Sequence, residues 1–160
     1  MRPLRGRGAA LTAILSFALT LCVALSACAK DPTVTINAPD GKQLASVSVE
    51  VANRPDTREL GLMYRQHLGE NAGMIFVFTH PEHQTFWMKN TEIPLDMIFA
   101  DENGKVLGIV EDAAPFTETS RAVDGVSLYV LEVNGGFSQR HHLAAGDVMK
   151  FSGFNPRAAE

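Results

Sequence analysis

The sequence predicts a mainly β domain of α+β type, a compact sandwich or barrel with one amphipathic helix near residues 55–68. Three observations lead there. Short apolar segments with period-two alternation recur between turn signals from Thr33 to Phe151. The periodicity changes clearly to helical spacing once, at Pro55. Beyond Cys28 the chain has no cysteine, so an apolar core must hold the domain without a disulfide framework.

Thr33-Val34-Thr35-Ile36 alternates and reads as a strand, and Asp40-Gly41 marks the turn after it. Ala45, Val47, Val49 and Val51 then occupy alternate positions with Ser46, Ser48 and Glu50 between them, the pattern of a half-buried strand. From Pro55, the residues Leu60, Met63, Tyr64 and Leu68 recur at helical spacing. Pro55 suits a first helical turn, where its missing N–H costs least. Asp56 and Glu59 come early and Arg65 and His67 late, the order a helix dipole favours. On this reading Leu60 and Met63 face a sheet and Arg58 faces solvent, while Gly61 implies close packing against a neighbour.

Met74-Ile75-Phe76-Val77-Phe78 is a continuous apolar strand, followed by a polar loop at residues 79–84. Phe86-Trp87-Met88 opens another extended stretch, and Leu95 to Ala100 a further strand. Asp101-Glu102-Asn103-Gly104 is a hairpin signal leading into a strand from Lys105 to Val110. A loop over residues 111–125 separates it from an apolar strand, Ser127 to Val133. A helical turn near residues 137–143 and a last strand, Val148 to Phe151, complete the order. Short strands at fairly even spacing favour a sandwich or barrel.

The N-terminus carries a separate message. Arg2, Arg5 and Arg7 precede an apolar run from Ala9 to Leu25, and Leu25-Ser26-Ala27-Cys28 follows. This layout resembles the lipobox of bacterial lipoproteins, in which a signal peptidase cuts before the cysteine and lipid is attached to its sulfur. A transmembrane helix over residues 9–29 and an ordinary cleaved signal are the rival readings. Neither accounts for a cysteine directly after Leu-Ser-Ala, and Cys22 is preceded by the bulky Leu21. The expected organisation is therefore a signal peptide over residues 1–27, the lipidated Cys28 with a short tether over 28–32, and one domain over 33–154. The expected location is the cell envelope, exported and lipid-anchored. With Ala29 and no aspartate after the cysteine, the expectation in a two-membrane bacterium is the outer membrane, facing the periplasm.

Removing 27 residues leaves 133 of 160 and takes away three arginines, so the formal charge moves from −4 to −7. No Lys or Arg run occurs beyond the N-terminus, and nucleic acid is not an expected partner. The expected partners are the membrane, through the lipid on Cys28, and an unidentified small molecule, glycan or protein.

Several stretches in order carry a second resemblance: Gly61-Leu62-Met63-Tyr64-Arg65, Gly73 to Phe78, Phe86-Trp87-Met88-Lys89-Asn90-Thr91, Ile93 to Phe99, Val130-Leu131-Glu132-Val133 with Gly135-Gly136, and Gly146-Asp147-Val148. Together they resemble the family known as domain of unknown function 192, over roughly Val47 to Phe151. The resemblance implies a compact, mainly β, often exported domain. It implies no activity.

The chemistry on offer centres on residues 86–91, which set the single tryptophan beside a cation and an amide. Trp87, Lys89 and Asn90 could wall a binding cleft; alternatively Trp87 fills the core while Lys89 and Asn90 shape a turn. Asp96 and Glu132 stand within apolar strands, where a charge is costly unless paired. Arg65 and Lys89 are their candidate partners, and orienting a ligand is their alternative role. An envelope hydrolase using these carboxylates with help from Lys89 is a second functional class. Metal binding is a third, through His80, His83, His141 and His142 or the thioethers of Met63, Met74, Met88, Met97 and Met149. The histidines lack the spacing of a zinc-protease motif, the methionines suit core packing, and no metal or cofactor is expected. No G-x-S-x-G elbow, P-loop or dinucleotide fingerprint is present. The expected function is a non-enzymatic binding module tethered in the envelope.

Overall fold

The computed structural model describes residues 30–160. The expected signal peptide and the expected lipid anchor at Cys28 lie outside the described residues. Seven strands and two short helices follow one another: β1 (Thr33–Asn37), β2 (Gln43–Ala52), α1 (Pro55–Leu60), β3 (Ala72–Glu82), β4 (Leu95–Ala100), β5 (Val106–Ala113), β6 (Ser127–Asn134), α2 (Phe137–Arg140) and β7 (Val148–Ser152). The domain is mainly β. The strands form a single sheet in the order β5-β4-β6-β3-β2-β1-β7.

The sheet curls until its ends meet. Lys105 bridges Val148, Val106 N–H donates to the Asp147 carbonyl at 2.8 Å, and Met149 N–H donates to that of Gly104 at 2.7 Å. Gly104 has φ +80° there, and a Cβ on it would stand 2.5 Å from the Met149 carbonyl oxygen, so only glycine fits this approach. Inside the curl pack Val34, Ile36, Val47, Ile75, Ile98, Leu131 and Phe137, all fully buried. This is the half-barrel core that period-two patterning implied, with Ala45, Val47 and Val49 buried and Ser46, Ser48 and Glu50 exposed in β2.

The convex face of β3, β4 and β6 is covered as well. Met74, Phe76, Met97, Phe99 and Val130 form a second core with Leu62, Leu68 and Met88 from the loops above them. Central strands buried on both faces read as continuous apolar runs, which is why these segments do not alternate.

β2 and β3 are parallel, with Ser48 opposite Ala72 and Ala52 opposite Phe76. A parallel pair requires a crossover, and residues 53–71 supply it. The sequence predicted one helix from 55 to 68 here; α1 ends at Leu60, and none of its residues is buried. Gly61 stops it: its φ is +49°, its N–H closes the last turn on the Thr57 carbonyl at 3.0 Å, and a Cβ would stand 3.2 Å from the Phe76 ring. The chain beyond is a loop that inserts Leu62 and Leu68 into the outer core. The predicted faces are accordingly reversed. Leu60 is 53% exposed. Arg58 instead packs over Phe78 and donates to the carbonyls of Val77 (3.1 Å) and Glu160 (2.8 Å).

Candidate functional site

Two connecting segments over the outer core run side by side. Phe86 and Arg121 exchange N–H···O bonds of 2.9 and 2.8 Å, and Met88 N–H donates to the Thr117 carbonyl at 2.8 Å. Phe116 N–H donates to that of Thr91 at 3.1 Å. The stretch expected to be extended from Phe86 to Met88 is thus a laced loop with one β-bridge. Alternation along it decides what faces out. Phe86 turns inward, edge-to-face with Phe76 and Phe99 at 5.0 and 5.8 Å, and Met88 is fully buried. Trp87 between them points outward and is 49% exposed, with the Lys89 ammonium 5.2 Å from its ring centre. Filling the core, the alternative role for Trp87, falls to its two neighbours.

Facing Trp87 is the segment after α1. Tyr64 and Asn90 both hold left-handed backbone, φ +63° and +54°, which costs a residue with a side chain on the order of 1–3 kcal/mol. Reciprocal bonds lock the pair: Tyr64 N–H donates to the Asn90 carbonyl at 2.8 Å, and Asn90 Nδ2 donates to Tyr64 Oη at 3.0 Å. The result is an open groove of about 430 Å³ walled by Leu60, Met63, Tyr64, Trp87, Lys89 and Asn90. Trp87 and Tyr64 stay exposed while most large apolar side chains are buried.

Glu132 lies beneath. It sits on β6 directly opposite Met74 of β3 and Met97 of β4, on the outer face of the sheet. It is only 4% exposed, and its carboxyl has no hydrogen bond or ion pair among the described residues. Burial alone pushes its pKa up to about 8, so it is a neutral acid at pH 7. The carboxyl borders a chamber of about 40 Å³ shared with Gly61, Leu62, Phe76, Phe86 and Trp87, enough space for a few water-sized groups. Trp87 lines both chamber and groove, so the two adjoin.

Asp96 belongs elsewhere. It pairs with Val133, one residue out of step with Glu132, and therefore projects from the concave face. Its Oδ1 accepts from the N–H groups of Asp112 (2.8 Å) and Gly136 (3.0 Å), and its Oδ2 from that of Ser138 (2.7 Å). It organises the entry to α2. The candidate carboxylates thus stand on opposite faces of one sheet and do not converge, which removes them as a hydrolytic couple. Arg65 reaches neither; it pairs with Glu50 at 2.6 Å on the surface, an arrangement worth at most about 1 kcal/mol. Lys89 likewise turns to Trp87.

His80 and His83 are exposed near the end of β3, while His141 and His142 follow α2. Among the described residues no three His, Cys, Asp or Glu side chains gather into a cation site. Met74, Met88, Met97 and Met149 are core residues. Leu60, Met63 and Tyr64 carry no role in the cleft on the sequence pattern alone, because a continuous helix turns the first two inward. The one available signal was Gly61 amid Leu60-Gly61-Leu62.

The family model for DUF192, described as an uncharacterized ACR, matches residues 35–151. A crystal structure of a "putative transcription regulator" from Sinorhizobium meliloti 1021 is 35% identical, with 77% of this chain and 95% of that one covered at a TM-score of 0.73. A protein of unknown function from Novosphingobium aromaticivorans DSM 12444 is 38% identical, covering 74% and 83% at a TM-score of 0.69. No curated protein matches. Over nearly all of its mainly β domain, including both segments that wall the groove, the chain belongs to the DUF192 family.

Proposed function

We propose that the protein is a binding module of the cell envelope, anchored through lipid on Cys28, whose groove at Trp87 takes a small molecule, a glycan or an exposed segment of a partner. The observation that carries this is the outward pair Trp87 and Tyr64 around one concavity, above a buried carboxyl that has no partner among the described residues. Rigid aromatics exposed beside a few polar groups are the usual furniture of a binding site. The left-handed pair Tyr64–Asn90 supports the reading, because backbone strain tends to be retained where it positions a site. Anchoring rests on the arginines, apolar run and Leu25-Ser26-Ala27-Cys28. The regulator label of the S. meliloti protein does not supply a DNA-binding role here, since the net charge is −4 and basic runs are absent after the N-terminus.

The test is a ligand screen by thermal shift on wild type and Trp87→Ala. A ligand at 100 times its Kd stabilises by about 2.7 kcal/mol, and that gain should vanish in the variant. Trp87→Ala itself should cost less than about 1 kcal/mol, because the side chain is half exposed. Equal ligand-induced shifts in both proteins would refute the groove.

A further inference from the structure

Glu132 presents its carboxyl to a small chamber, open on one side, in which nothing among the described residues hydrogen-bonds to it. Once ionised, a buried carboxyl in that state lacks a donor, and the space beside it is too small for a ring. The charges around the chamber come from α1 and the loop after β3. On α1, Arg58 lines the chamber while its guanidinium donates to the Val77 and Glu160 carbonyls, and Asp56 is bridged to Arg54 at 3.1 Å. Glu59 has no ion pair among the described residues and lies on the rim. Lys89 sits over Trp87 along the groove, and the strands beside Glu132 present Met74 and Met97. Arg58 and Glu59 thus stand at the chamber wall with opposite charges, and no cation pairs with the Glu132 carboxyl among the described residues.

We propose that this chamber receives a primary ammonium group, with the Glu132 carboxylate as counterion and the ligand's stem lying along Leu60, Met63 and Trp87. This rests on the groove reading above and names its ligand class: an amine on an aliphatic stem. An ammonium brings three donors and a compact charge, and it fits where a planar guanidinium or a ring does not. Capture moves one proton from Glu132 to solvent and leaves an ion pair in a water-poor site.

Trp87 is the only tryptophan, so its fluorescence reports this site alone. Full-length protein in detergent is titrated with n-pentylamine and n-pentanol, which share a stem and differ in charge, at pH 6 and pH 9. An amine of this kind stays protonated at both, with a pKa of about 10.4. Only the ionised carboxyl binds it, so with Glu132 titrating at about 8 the amine should bind on the order of 100-fold tighter at pH 9. Pentanol should bind weakly and equally at both. Glu132→Gln should abolish the preference for amine and its pH dependence while leaving the pentanol response intact. If amine and alcohol bind alike, or Glu132→Gln keeps the pH dependence, the ammonium assignment falls and the groove stands. If neither probe moves the Trp87 signal, the ammonium assignment falls, and the thermal-shift screen decides the groove separately.

Discussion

Glu132 should make the stability of the whole domain fall as the medium becomes more alkaline. The ordinary value for a glutamate is 4.5, and burial raises it to about 8. The folded protein therefore holds a proton that the unfolded chain has released between those two values. Stability is then full below pH 4.5 and declines as pH rises, until the folded group has also ionised above about 8. Each pH unit in the window costs about 1.4 kcal/mol. Between pH 6 and pH 9 the loss should be about 3 kcal/mol, a large share of the 5–15 kcal/mol that holds a typical domain together. Urea denaturation at half-unit steps measures it directly. Glu132→Gln keeps the shape and removes the titration, so its profile over the same range should lack this slope and cross above wild type on the alkaline side. A flat wild-type profile, or the same slope in the variant, would mean that the carboxyl already has a partner or is hydrated.

Other perturbations separate the remaining assignments. Leu62→Ala should cost about 2–5 kcal/mol because Leu62 is 2% exposed, whereas Leu60→Ala should cost about 0.5 kcal/mol or less; equal losses by chemical denaturation would restore the continuous helix. Asp96→Asn turns part of an acceptor for three N–H groups, one of them buried and two partly so, into a donor and should lower stability by about 2–3 kcal/mol, whereas a loss below 1 kcal/mol would show that the turn into α2 holds itself. Cys28→Ala should leave an uncleaved precursor or release the protein from the membrane fraction, and unchanged maturation and fractionation would defeat the anchor.

Where one face of a strand is wet, the sequence disclosed it. Alternation in β2 shows which residues are buried, and Asp101 to Gly104 marks the β4–β5 hairpin in advance. The crossover departs from the expected helix because apolar residues at helical spacing serve equally well as separate anchors of a loop. Leu62, not Leu60, reaches the core once Gly61 reverses the chain. The outward setting of Trp87 could not be read from Phe86-Trp87-Met88, since apolar runs such as Leu95 to Ala100 are buried on both faces and this triplet is covered on one only. Asp96 was unreadable: its partners are backbone amides from residues 112, 136 and 138, which have no signature of their own. For Glu132 the cost of burial was legible, but the concavity above it comes from segments distant in the chain.

The pairing of β1 with β7 governs when this protein can become native. Thr33 lies against Ser152 and Asn37 against Val148, so the first strand of the domain waits for one of the last segments made. Contacts that span most of a sequence form slowly, because a large loop must close before they repay its entropy. A growing chain therefore leaves one edge of β1 unsatisfied until nearly every residue has been made. Completion of the fold is tied to completion of the chain, and a nascent or C-terminally clipped chain carries an open sheet edge for chaperones and proteases to find.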